Sequence, residues 1–148
     1  MGSFLDAQAH GFQWIEIDVI STKDKEVICS HNFDLEKETV GRGYITELDY
    51  NALNPIIAEH NIYFKGQDIL PKVLDVFKKL DSNIRVNIEV KSPYAWDFRT
   101  ARALSIILKE LPKKRILISS FNPFVILYFK LFHRQISTGF LFQNLGYL

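Results

Sequence analysis

An alternation of helical and strand periods constrains this chain more than any other feature. Residues 68–80 place apolar side chains at 70, 73, 74, 76, 77 and 80, the spacing of a helix. Residues 84–90 then read as a strand, and residues 97–111 as a helix with Leu104, Ile107, Leu108 and Leu111 on one side. A strand over 115–119 follows, then a helix over 122–133 with Pro123 at its first position, then a strand over 136–142. Such alternation predicts βα units and a parallel sheet. The run Ile116-Leu117-Ile118 is continuously apolar, as in a strand covered on both faces. No Gly-x-Gly-x-x-Gly and no Walker loop follows any strand, so a nucleotide-binding reading lacks its fingerprint.

The first half of the chain is less regular. Residues 3–10 read as a helix end stopped by Gly11, and residues 14–21 as a strand. A turn over 22–25 and a short strand over 26–30 complete a hairpin. Residues 32–46 look irregular, with Gly41 and Gly43 marking a loop. A short helix is expected to open at Thr46, capped by Thr46 or Asp49, and residues 54–66 to form a connection.

The strand Trp14-Ile15-Glu16-Ile17-Asp18-Val19 carries the first chemical signal. Alternation puts Trp14, Glu16 and Asp18 on one face and Ile15, Ile17 and Val19 on the other. Two carboxylates on a buried strand repel each other and are costly to desolvate, and a metal ion keeps both ionised. A second strand repeats the theme in Asn87-Ile88-Glu89-Val90-Lys91. Glu16, Asp18, Glu89, Lys91, Ser119, Ser120 and Asn122 all fall at C-terminal strand ends, where a (β/α)8 barrel keeps its functional groups.

Composition narrows the classes. At 148 residues, 47% hydrophobic and 24% charged, the chain is a globular domain and not a disordered one. A formal charge of +1 gives no support to nucleic-acid binding. The one cysteine, Cys29, excludes an internal disulfide, a thiolate zinc site and a CxxC pair, and fits a reducing, cytoplasmic setting. The N-terminus lacks the basic and apolar regions of a signal peptide, and the apolar run at 124–129 is too short to span a bilayer. It reads as a barrel helix with its apolar side inward. His10, His60 and His133 are expected at the surface.

The ordered segments resemble the glycerophosphodiester phosphodiesterase family. Gly11 to Val19 with Thr22-Lys23-Asp24, Ser30-His31-Asn32-Phe33-Asp34-Leu35 and Thr39-Val40-Gly41-Arg42-Gly43-Tyr44-Ile45 are similar to its successive motifs. So are Asn87-Ile88-Glu89-Val90-Lys91, Ser119-Ser120-Phe121-Asn122 and Thr138-Gly139-Phe140-Leu141. The resemblance implies an α/β fold, a partial TIM (β/α)8 barrel comprising roughly strands two to five, with a β-hairpin after the first strand present. It treats 1–148 as one truncated domain. It implies a divalent cation, Ca2+ or Mg2+, held by Glu16, Asp18 and Glu89, whose oxygens suit a hard ion. His31 would be the general acid or base, and Lys91 would contact a phosphate oxygen. The implied reaction is hydrolysis of a small glycerophosphodiester to an alcohol and glycerol 3-phosphate.

Two departures qualify that expectation. Asn32 stands where the family usually has an acid after its histidine, which keeps hydrogen bonding but loses the charge. The family's His-Arg-Gly and Pro-Glu-Asn-Thr segments, and its final strands, have no counterpart in residues 1–148. With one histidine of the catalytic pair, the isolated chain is expected to be inactive or nearly so. Open sheet edges near 14–20 and 136–142 would favour homo-oligomers. A non-catalytic fragment or assembly partner is the competing reading, and a sphingomyelinase D-type phosphodiesterase a closer variant. The sequence is silent on membrane association.

Overall fold

The computed structural model describes residues 2–37, 39–63 and 69–143. Helix α1 (Gly2–Ala9) leads into strand β1 (Trp14–Ser21) and strand β2 (Val27–Cys29). After a 3-10 turn (Ile45–Glu47) come α2 (Tyr50–Tyr63), α3 (Val73–Lys79) and β3 (Arg85–Val90). Then follow α4 (Arg99–Ile107), a 3-10 turn (Lys113–Arg115), β4 (Ile116–Ser120), α5 (Pro123–Phe132) and β5 (Ser137–Phe140). Gly11, at φ +81°, takes the left-handed turn that ends α1.

The five strands form one open sheet in the order β2-β1-β3-β4-β5. Strands β1, β3, β4 and β5 are parallel, and β2 runs antiparallel to the end of β1. Sequential parallel strands lie side by side, the winding of a barrel and not of a doubly wound sheet. Helices α1, α3, α4 and α5 pack on one face. Ile15, Ile17, Val19, Val86, Ile88, Val90, Ile116 and Ile118 form a core with Val76 of α3, Leu104 of α4 and Phe129 of α5. The opposite face carries the polar residues. A second cluster, including Ile20, Ile28, Leu35, Ile45 and Leu53, lies beneath the excursion after β2. Among the described residues no helix is long and apolar enough to cross a membrane.

The structure corrects five expectations. The connection expected over 54–66 is largely α2, which continues through Pro55 to Tyr63. An interior proline costs a helix about 3 kcal/mol. The stripe of Leu53, Ile56, Ile57 and His60, at helical spacing, faces inward and offsets that loss. Gly41 belongs to the same contact, because a Cβ there would stand 2.8 Å from Ile56 side-chain atoms.

The helix expected over 68–80 begins only at Val73. Asp68 lies outside the described residues. Leu70 is left-handed at φ +51°, Pro71 accepts the Cys29 N–H at 2.8 Å, and Lys72 bridges to Ile28. Pairing with the free edge of β2 therefore holds this segment extended. The short helix expected at Thr46 is a 3-10 turn instead, and neither Thr46 nor Asp49 caps it, since its N-cap is Tyr44.

His60 is buried and not at the surface, because it lies on the inward stripe of α2. The expected edge near 14–20 is also half covered. β2 pairs with Val19–Ser21, so only the beginning of β1 lacks a second neighbour among the described residues.

Candidate active site

Parallel register builds the site. Asp18 of β1 stands opposite Glu89 of β3, which stands opposite Ser119 of β4. One rung earlier, Glu16 faces Asn87. These side chains share the face away from α3, α4 and α5. On β1 that face is exposed at Trp14 and Glu16, partly covered at Asp18 and closed at Ile20 beneath the second cluster.

The hairpin brings in His31. Antiparallel pairing sets Cys29 opposite Val19, and the Ser30 N–H then donates to the Asp18 carbonyl at 3.0 Å. His31 lands beside the Asp18 side chain, with Nδ1 2.8 Å from Oδ2. A carboxylate accepts only, so Nδ1 carries the proton and Nε2 is left as the acceptor of a neutral ring. The imidazole is 71% exposed. Position 32 does not supply this carboxylate. Asp18, thirteen residues upstream, does so across the hairpin.

Lys91 closes the cluster. Its Nζ lies 2.7 Å from Glu89 Oε1 and 3.0 Å from Asp18 Oδ1, and its side chain is only 12% exposed. Burial alone lowers the Lys91 pKa, but hydrogen bonds to Glu89 and Asp18 outweigh it and leave the pKa raised. An ammonium has three protons. Two are taken by these carboxylates, and Lys91 also lines a cavity of about 260 Å³ with Phe33, Glu89, Ser120 and Asn122.

Asn122 shapes the rim. Its Oδ1 accepts the Phe124 N–H at 2.9 Å and caps α5. Its Nδ2 lies 2.9 Å from Ser92 Oγ, 3.1 Å from the Tyr94 carbonyl and 2.9 Å from the Ala95 carbonyl. One amide thus ties the loop after β4 to the loop after β3.

The structure brings together Asp18, His31, Glu89 and Lys91 of the expected site residues. Glu16 stands apart, its Oε1 3.3 Å from Asn87 Nδ2. Sequence reasoning gave no role to Asn87 or Ser119. Asn87 Oδ1 and Ser119 Oγ are buried with no hydrogen-bond partner among the described residues. Each lies on the polar face, two residues or one strand from Glu89, and that parity was the available signal. The oxygen donors suit a hard divalent ion in type. In the arrangement found, an ammonium occupies the space between two of them. Lys91 Nζ stands between Asp18 and Glu89, and no three acidic, histidine or cysteine side chains among the described residues are grouped to hold a metal ion.

Comparison with known proteins agrees with this architecture. The family model for the glycerophosphoryl diester phosphodiesterase family matches residues 1–145. A glycerophosphodiester phosphodiesterase of Caldanaerobacter subterraneus subsp. tengcongensis is 28% identical over 147 residues, 97% of this chain and 60% of that protein. A human lysophospholipase D is 30% identical over 98 residues, 62% of this chain and 31% of that protein. Among solved structures, a phosphodiesterase of Oleispira antarctica in complex with the product sn-glycerol-3-phosphate superimposes with a TM-score of 0.81 at 24% identity. The superposition covers 94% of this chain and 58% of that one. A glycerophosphodiester phosphodiesterase of Thermotoga maritima gives 0.74 at 23% identity, covering 97% and 55%. The chain thus spans at most about three fifths of these relatives, and its open sheet corresponds to part of their barrel. Because the family model matches nearly every residue, the chain belongs to the glycerophosphoryl diester phosphodiesterase family.

Proposed function

We propose that this chain carries the proton-transfer and phosphate-binding groups of a glycerophosphodiester hydrolase. Water adds to the phosphodiester, one P–O bond breaks, and the products are an alcohol and glycerol 3-phosphate. The observation that supports this reading is the sharing of one carboxylate. Asp18 holds His31 through one oxygen and Lys91 through the other. His31 is thereby oriented to exchange a proton at Nε2. Lys91 keeps one N–H for a phosphate oxygen in the cavity it lines. The Oleispira relative, which holds the same product, lends this reading its substrate class. A cytoplasmic setting for the reaction is proposed with it, in keeping with the single cysteine.

Glu16, Asp18 and Glu89 are proposed to take a Ca2+ or Mg2+ ion in competition with the Lys91 ammonium. A rise in melting temperature with either ion, abolished by Asp18→Asn, is expected. No response in the wild-type chain contradicts cation binding.

The direct test is release of glycerol 3-phosphate from glycerophosphocholine with added Ca2+. His31 is the one histidine on this face among the described residues. Turnover by this chain alone is therefore expected to be slow, and to be abolished by His31→Gln and by Lys91→Gln. Turnover at the rate of a full-length relative contradicts the one-histidine account. Absence of both turnover and glycerol 3-phosphate binding contradicts the functional reading.

A second reading rests on the sheet edge. β5 has no outer neighbour among the described residues, and Leu131, Phe132, Phe140 and Phe142 nearby are exposed. We propose that a second copy of the chain covers this edge. Sedimentation that shows dimers forming with concentration supports it. A monomer at every concentration contradicts it.

A further inference from the structure

A second cavity, of about 420 Å³, lies between the β1–β2 turn and the outer face of α4. It shares no lining residue with the cavity at Lys91. Four cations line it, Lys23 and Lys25 from the turn and Arg99 and Arg102 from the helix, and none of its lining residues is acidic.

The two arginines are held there by structure. The Ser21 N–H donates to Thr100 Oγ1 at 3.1 Å and pins α4 against the end of β1. Asp97 accepts from Nε and Nη2 of Arg99, which fixes that guanidinium. Arg102 lies over the Phe98 ring, 5.9 Å from its centroid. Lys25 sits in left-handed backbone at φ +69°, a conformation a lysine adopts at a cost. The nearby acids offset part of this charge. Asp24, in the same turn, is committed to the Thr22 hydroxyl and the Tyr50 N–H. Asp97 pairs with Arg99, and Glu47 acts on Arg99 only at longer range.

Like charges gathered around a concavity raise the local potential and favour an anion. The Arg102 guanidinium fork matches phosphate oxygens, and a phosphate dianion answers several cations where a carboxylate answers one. The floor is different in kind. Ala103 and the exposed Ile106 continue the lining beyond the arginines and offer apolar contact. The volume exceeds what inorganic phosphate fills. From this geometry we infer that the cavity binds a phosphomonoester bearing an apolar group, at a site separate from the one that holds His31 and Lys91.

The test is titration of the full chain with phenyl phosphate, followed by backbone amide shifts and calorimetry. Saturable shifts are expected at residues 22–25 and 99–106. Affinity should fall at least about tenfold in Lys25→Gln/Arg102→Gln, the loss of charge-assisted contacts to phosphate. Lys91→Gln should leave these shifts in place. The four substituted or shifted cations are at the surface, so folding is checked by melting temperature, and Arg102→Glu alone provides a second variant. Inorganic phosphate should bind more weakly than phenyl phosphate. Phosphatidylcholine vesicles with and without phosphatidic acid separate the sources. Co-sedimentation lost in the double variant identifies a lipid headgroup, and phenyl phosphate binding without co-sedimentation identifies a soluble ester. Shifts confined to the Lys91 cavity, or an affinity unchanged in both variants, overturn the proposal.

Discussion

Asp18 and Glu89 stand opposite each other in parallel register, and a single ammonium, Lys91 Nζ, joins them. Neither carboxylate is far from the other, so the lysine is structural as well as chemical. Removing one partner of a buried ionic cluster leaves the others uncompensated.

Lys91→Met is therefore expected to lower stability by about 2 kcal/mol, below the fully buried range because Asp18 is partly exposed. Urea denaturation measures this. Added Ca2+ or Mg2+ should restore more stability to the variant than it adds to the wild type, since the ion then meets no competing ammonium. A variant as stable as the wild type contradicts the bridge.

Asn122→Ala removes the cap of α5 and the amide that joins the loops after β3 and β4. A lost cap and stranded carbonyls together cost about 2 kcal/mol. Amide hydrogen exchange should speed up over residues 92–98 as well as at the start of α5. Faster exchange in α5 alone contradicts the joining role.

The barrel-like winding was legible because its signal is local. Apolar strands alternating with helical stripes need no knowledge of the partner, and Trp14–Ser21 and Pro123 were placed where the structure has them. The site face was legible for the same reason, as alternation alone puts Glu16, Asp18, Glu89 and Lys91 on it. What was not legible depends on contacts distant in sequence. Helix α2 survives Pro55 only through its packing on the second cluster, and α3 starts late only because residues 70–72 pair with β2. The contact of Lys91 with Asp18, on the neighbouring strand, was likewise not legible. Parity shows which side chains share a face, but not which charge stands between them.

Asp97 gives the acid limb of stability a defined contributor. The Arg99 guanidinium beside it holds its carboxyl below the usual aspartate range, against the opposing effect of burial. A depressed folded pKa stabilises at pH values above the unfolded pKa, about 3.9, and that contribution is lost as pH falls through the folded value. Asp97→Asn should therefore lower the melting temperature at pH 7 and make it less sensitive to acid between about pH 5 and pH 2. An unchanged acid profile contradicts the pairing.

Cys29 is expected to be inert. Burial pushes its thiol up to about 12, and the thiolate is the reactive form. Native protein at pH 8 should resist iodoacetamide, while urea-unfolded protein should be modified within minutes. Rapid labelling of the native chain would falsify the burial of β2.

The central claim is that Asp18, His31 and Lys91 form one phosphate-handling site. Titration with sn-glycerol 3-phosphate, read by the ring resonances of His31, tests it most directly. Saturable shifts of the His31 ring are expected, weakened about tenfold or more by Lys91→Gln and unaffected by Lys25→Gln/Arg102→Gln. Unmoved His31 resonances at saturating ligand, or shifts indifferent to Lys91, contradict it.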